Sequence, residues 1–507
     1  MHPLPACPAT LAPIALPRRL ARLLIAGFFL GTLAGFSGAQ TQNAPADPIE
    51  GDWLGAVTAP QGSTEIGFGF HRGAEGKLIL TFHMPGMFAY GAKMGPYVEK
   101  EEGGYLVTAF PAHLHLDGDT LTGTFGFSAL PVELKRGGTF SAAPPVPSYP
   151  AAPAPLWSRK LSSYTWASPV VCDDIIYVGT KDGQFHAVRA GDGSELWTWT
   201  GVNRIDGRAV VTDDTVYFVD GKTELVALNR TDGALRWRRA LHDEAPAGKP
   251  VPDNPTFNRR TAIPLVVDGT VYCGSSDGGL YALKAATGEQ LWRFDAKSPV
   301  FSGITRVDDD LLSFGTMDGS VMVLNRRTQQ EVRRMKTGAG VVTTPLFTAG
   351  RAIVGSRDYT LYGFNAADGT VAWKFSYWFS WVESTPQLVD GVMYVGGSDF
   401  RRITAMNPAD GHVFWSTDVR GIAWGWPLVT GDTVFIGTAA QNIPGTLIKH
   451  TGGIMALDRK TGAVKWQLLS PEPPVNSFGG YAGSLALAGD KVIAIGYEGV
   501  LLALPAR

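Results

Sequence analysis

Cysteine is scarce: three residues in a chain of 507 cannot build a disulfide framework. Charge of neither sign is in excess, since 44 Lys and Arg face 46 Asp and Glu, for a net charge of −2. That balance excludes a basic nucleic-acid-binding surface and an acidic solvating tail. Charged residues make up only 18% of the chain, below the roughly 25% of an average soluble protein. Long apolar runs are also missing. The run Leu23 to Phe36 falls short of the about 20 residues that span a bilayer, and nothing later in the chain supplies a span. It follows Arg18, Arg19 and Arg22 and precedes Ser37, Gly38 and Ala39, the layout of a cleaved signal peptide over residues 1–39. The expectation is an exported protein, periplasmic or secreted, with no transmembrane span.

What is present in quantity is turn and core material. Gly (62) and Pro (34) are abundant and 45% of residues are apolar, which predicts many short elements around a sizeable core. Trp157, Trp197, Trp237, Trp292, Trp373, Trp415 and Trp466 each close a similar segment, and a degenerate copy ends at Arg333. Successive spacings are 40, 40, 55, 41, 40, 42 and 51 residues. Six of the tryptophans follow a turn pair such as Asp192-Gly193, Asp232-Gly233 or Thr461-Gly462. In the first repeat, Ser168 to Cys172, Ile175 to Gly179, Gln184 to Ala190 and Ser194 to Thr200 read as four strands. Asp-Gly pairs tolerate the positive φ of tight hairpins, so the strands are antiparallel. Four such strands every forty residues are the mark of a propeller blade.

Inner strands begin near Ser168, Arg208, Ile263, Gly303, Thr344, Thr385, Trp426 and Gly483, which predicts eight blades. The first outer strand, around Trp157, precedes any inner triplet, and the last triplet has no outer strand after it. The expected fold is therefore all-β. An eight-bladed β-propeller over residues 154–507 is closed by its N-terminal strand joining the last blade. Closure removes the sheet edges that invite aggregation.

The copies Ala227 to Trp237 (ALNRTDGALRW) and Ala456 to Trp466 (ALDRKTGAVKW) resemble the tryptophan-docking repeat of the pyrroloquinoline-quinone-type propeller superfamily. The resemblance implies one of two functions. One is a quinone-dependent alcohol or sugar dehydrogenase, with pyrroloquinoline quinone (PQQ) and a calcium ion. The other is a non-catalytic periplasmic scaffold such as the outer-membrane-assembly propeller. The tryptophans are architectural in both, so the site must decide. The adjacent cysteine pair of many such dehydrogenases is absent, and their calcium-holding constellation finds no residue-by-residue match here. The expectation is a non-catalytic scaffold whose propeller face binds a protein segment or small ligand, as a monomer. The alternative is a PQQ-dependent oxidoreductase, with Glu383 or Asp206 ligating calcium or acting as base.

Loops leading into the inner strands open on one face. Aligning them on a recurring Pro position places Trp166, Asp206, Glu383, Trp424 and Tyr481 three residues before it, and Arg208 and Trp426 immediately before it. Trp381, in the run Tyr377-Trp378-Phe379-Ser380-Trp381, and Arg260 join them as candidate binding residues. Two insertions, between Trp237 and Pro264 and between Gly437 and Leu457 (with Asn442, Lys449 and His450), point to the same face. A rim of tryptophan with a few Arg and Glu suits a flat or aromatic ligand, a sugar or a peptide. No nucleophile signature, phosphate loop or zinc-protease motif is present.

Residues 40–140 fall outside the period and read as a small antiparallel β-sheet or partial barrel, opened by Gly51-Asp52-Trp53. Residues 141–155 hold six Pro and five Ala, so 141–153 reads as a semi-rigid extended linker. His83, Met84, Met87 and Met94 make a soft-ligand set, and His113 and His115 share one strand face, yet neither shows further ligands. Packing is the expected role of both. Asp173-Asp174 and similar carboxylate pairs recur at one turn of the repeat and read as turn residues.

Overall fold

The computed structural model describes residues 47–506, apart from 74, 127, 222–223, 243–260 and 444–448. The expected signal peptide, residues 1–39, lies outside the described residues. The described residues form two β bodies, and among them the one helical element is a 3-10 turn at Pro85–Met87.

Gly51–Ala59, Gly62–Arg72, Leu78–Met84 and Ala89–Lys93 form one half of a nine-stranded antiparallel sheet, and Val98–Glu101 through Leu130–Arg136 form the other. The halves join where Gly51–Ala59 pairs with Leu130–Arg136. The sheet curls around Trp53, Phe68, Phe70, Phe82 and Phe125, all essentially inaccessible. Apolar residues alternate inward along these strands, as period-two patterning requires.

The propeller has eight sheets in sequence order. In blade 1, Val170–Cys172, Ile175–Gly179, Gln184–Arg189 and Glu195–Thr200 pair antiparallel, close to the expected bounds. Asp173 and Asp174 occupy its first turn with φ of 48° and 57°, as a type I′ hairpin demands. Blade 8 is Ala486–Ala488, Lys491–Ile495 and Val500–Pro505, completed by Trp157–Lys160 with Trp157 opposite Ala503.

One contact, repeated from blade to blade, holds the ring together. The Trp197 ring packs under Gly233 of the next blade, and its Nε1–H donates to the Arg230 carbonyl at 3.0 Å. Trp157, Trp237, Trp373 and Trp415 donate in the same way to Ala190, Ala285, Pro408 and Arg459. Gly233 has φ 73°, and a Cβ there would stand 2.5 Å from the Trp197 ring. Glycine is required on both counts. In the degenerate copy Arg333 replaces the indole and donates from Nη1 to the Ala366 carbonyl at 2.5 Å. The lost aromatic is thus replaced by another donor at the same joint.

The Pro-rich linker is extended and lies along the propeller. Ala151 bridges Gln467 in parallel on the outer strand Val464–Leu469 of blade 7, and Ala152 N–H donates to Gln467 O at 2.8 Å. Arg420 donates to the Pro147 carbonyl, with its guanidinium 4.7 Å from the Tyr149 ring. Pro cannot complete a ladder but suits a sheet edge, so the strap covers otherwise open backbone groups.

The curled sheet docks on blades 5 and 6. Phe379 packs against Phe110 and Phe125 at ring distances of 5.0 and 4.8 Å. The Gln61 amide exchanges hydrogen bonds with the Ser376 backbone, at 2.9 and 3.1 Å. The two bodies share one apolar cluster that includes Tyr377 and Trp378. Three of the four aromatics of the 377–381 run therefore seat the small sheet, and Trp381 turns to the propeller axis.

The histidines of the small sheet differ in environment. His83 is fully buried, 2.9 Å from Glu65 and stacked on Phe140, and Met84 and Met87 are core. His113 and His115 are exposed and hydrogen-bond to Glu101 and to the Gly103 carbonyl.

Candidate functional site

The loops that lead into the inner strands converge on the propeller axis and are tied to one another. Ser384 Oγ donates to the Gly425 carbonyl, Trp426 N–H donates to Ser484 Oγ, and Ser484 N–H donates to Ser168 Oγ, at 2.8, 2.8 and 2.9 Å. These bonds hold the rim of a cavity of about 120 Å³. Trp166, Trp381, Trp424, Trp426 and Phe478 supply five aromatic walls. Trp166 and Trp424 approach to 5.2 Å between ring centres, and Phe478 closes the group at 5.4 and 5.8 Å. Trp424 Nε1–H donates to Ser398 Oγ at 2.8 Å, which orients its indole.

Asp206, Arg208 and Glu383 add charge to these walls. Asp206 faces Arg204 at 2.7 Å, with its side chain almost wholly buried. Glu383 Oε1 accepts from Arg357, whose Nε and Nη2 are each 2.7 Å away. The Arg357 guanidinium also lies 4.6 Å from the Trp381 ring. Both carboxylates are therefore neutralised by arginine. Arg208 differs: its guanidinium lies 4.7 Å from the Trp426 ring, and it has no ion pair among the described residues. Burial alone draws its pKa below the ordinary arginine value. An arginine stays protonated at neutral pH regardless, so the positive charge persists.

Trp166, Asp206, Arg208, Trp381, Glu383, Trp424 and Trp426 come together around one cavity. Tyr481 does not line it. Its ring packs with Phe435 and Leu485 between blades 7 and 8, and burial pushes its hydroxyl up to about 12. Arg260 lies outside the described residues. Phe478 is a wall that the repeat alignment misses. It sits on Ser477–Gly480, which pairs with the extended strand Thr433–Asn442 of blade 7. The seventh-blade insertion carries the signal: that strand runs ten residues where its counterparts run five or six. Of the insertion residues, Asn442 braces Pro473 at 2.8 Å, and His450 is buried beside Asp399. Neither reaches the cavity.

A family model described as outer membrane protein assembly factor BamB matches residues 150–283, 276–378 and 379–507. The assembly factor BamB of Burkholderia pseudomallei is 25% identical over 287 residues, covering 53% of this chain and 70% of that protein. Quinoprotein alcohol dehydrogenase PedH of Pseudomonas putida is 28% identical over 131 residues, 22% of each chain. The crystal structure of BamB from Moraxella catarrhalis superposes with a TM-score of 0.52 at 16% identity, over 69% of this chain and 97% of that one. That likeness concerns the propeller fold alone.

Proposed function

Because the chain belongs to the family described as outer membrane protein assembly factor BamB, we propose that it is an exported, non-catalytic binding scaffold. The central face of its propeller holds a protein segment or a small ligand. The name of its relatives supports a place in the cell envelope, and among the described residues no helix is long and apolar enough to cross a membrane. The curled sheet and the strap fix the propeller's outer flank, leaving the axial cavity as the surface with binding character.

One observation carries this reading: the cavity is walled by five aromatic rings while both of its carboxylates are occupied by arginines. Calcium takes six to eight oxygen ligands, carboxylates among them. Asp206 and Glu383 could serve only by giving up Arg204 and Arg357, and the described residues hold no group of three His, Cys, Asp or Glu able to bind a metal. Cys172 and Cys273 stand on blades 1 and 3 and are free thiols. The residues present do not fit a calcium-held quinone. Adding calcium and PQQ to the purified protein tests the reading. Neither stoichiometric uptake nor dye reduction dependent on alcohol or sugar is expected, and either one overturns the non-catalytic assignment.

A further inference from the structure

One charge in the cavity lining lacks an ionic partner among the described residues. Asp206 and Glu383 are met by Arg204 and Arg357, each at 2.7 Å. Arg208 has no such partner among the described residues. An interior charge without a counter-ion is costly, and the face of Trp426 offsets only part of that cost. A second polar group is unmet in the same lining. The Thr261 hydroxyl, against Gly207, is buried with no hydrogen-bond partner among the described residues. The remaining walls are indole and phenyl faces, which favour a flat apolar body and exclude a strongly hydrated ion.

We propose that the axial cavity binds a small organic monocarboxylate, its anionic end on Arg208 and its planar apolar body among Trp166, Trp424, Trp426 and Phe478. This rests on the reading of the propeller face as a binding surface and gives its ligand a chemical class. A guanidinium fork matches a carboxylate with two parallel N–H···O bonds. One unpaired cation in the lining suits a monoanion. A trianion would carry two further charges into a cavity where the described residues offer no other unpaired cation. The carboxylate of a free aryl acid and the terminal carboxylate of a short chain ending in an aromatic residue share this chemistry.

The test uses the full exported chain, with tryptophan fluorescence and titration calorimetry as readouts. Phenylacetate, its neutral isostere phenylacetamide and benzene-1,3,5-tricarboxylate are the probes. Phenylacetate is expected to bind about tenfold or more tighter than the amide, the scale of a hydrogen bond to a charged group. It should also outbind the tricarboxylate. Arg208→Gln should erase the preference for acid over amide, and Arg208→Lys should restore part of it. A tripeptide Gly-Gly-Phe and its C-terminal amide separate the two sources. Binding of phenylacetate without the tripeptide assigns a free acid, and equal binding of both assigns a chain end. Equal affinity for phenylacetate and phenylacetamide overturns the carboxylate assignment while leaving the cavity a binding site. No signal from any probe at millimolar concentration overturns both. Should Arg208→Gln fail to fold, the probe series on the native chain still decides.

Discussion

Replacing Gly233 by Ala tests the blade-to-blade joint at its tightest point. Gly233 has φ 73°, where an L-residue costs about 1–2 kcal/mol. A Cβ would also lie 2.5 and 2.8 Å from Trp197 Cε3 and Cδ2. Relieving that overlap shifts a ring that is 9% exposed and hydrogen-bonded to Arg230 O, an overpacking cost of about 1–3 kcal/mol. Gly233→Ala should therefore cost about 3 kcal/mol, or about 4 °C in melting temperature for a domain of this size. In a Trp197→Ala background the overlap is gone and only the backbone term, about 1 kcal/mol, remains. Trp197→Ala alone should cost about 3–5 kcal/mol. Thermal melts of the four chains complete a double-mutant cycle. Equal Gly233→Ala shifts in both backgrounds would refute the idea that the glycine exists to admit the indole.

Deleting residues 154–161 removes the strand that pairs with Val500–Pro505 and should lower the melting temperature sharply; an unchanged transition contradicts closure by the two chain regions. Arg420→Ala removes the donor to Pro147 and the cation over Tyr149, so protease cleavage within 141–153 should quicken; an unaltered cleavage rate means the strap is held elsewhere. His450 is buried, its Nδ1 lacks a partner among the described residues, and burial, reinforced by the Arg401 charge, lowers its pKa from 6.5 to about 4. The unfolded chain then binds a proton that the folded one does not between those values. Stability falls by up to about 3 kcal/mol as pH drops from 6.5 to 4. His450→Gln should gain on the native chain by about 3 °C from pH 7.5 to pH 4.5; a difference constant with pH contradicts the assignment.

The propeller was legible because its determinants recur. A tryptophan every forty residues and a turn pair ahead of it fix both the blade and the joint, and Arg333 stands in register even where the indole is lost. The aligned loop positions also brought six candidate residues to one cavity, since the loops of a closed ring must converge on its axis. What the alignment missed lies outside the aligned entry loops. Phe478 enters from an insertion, and Arg357 meets Glu383 from 26 residues upstream, across two loops. Within the run 377–381 strand alternation does not apply: Phe379 faces the small sheet and the candidate Trp381 the axis. Tyr481 occupies a rim position in sequence, but its ring turns into the wedge between blades 7 and 8.

The central claim is that the axial face is where this protein meets its ligand or partner. A photo-crosslinking residue placed at Trp426 on that face, and in a second chain at Val371 on an outer strand, tests it in intact cell envelopes. The account predicts a discrete adduct from position 426 that competing phenylacetate diminishes, and none from position 371. Adducts from position 371 alone, or the same products from both, would contradict it.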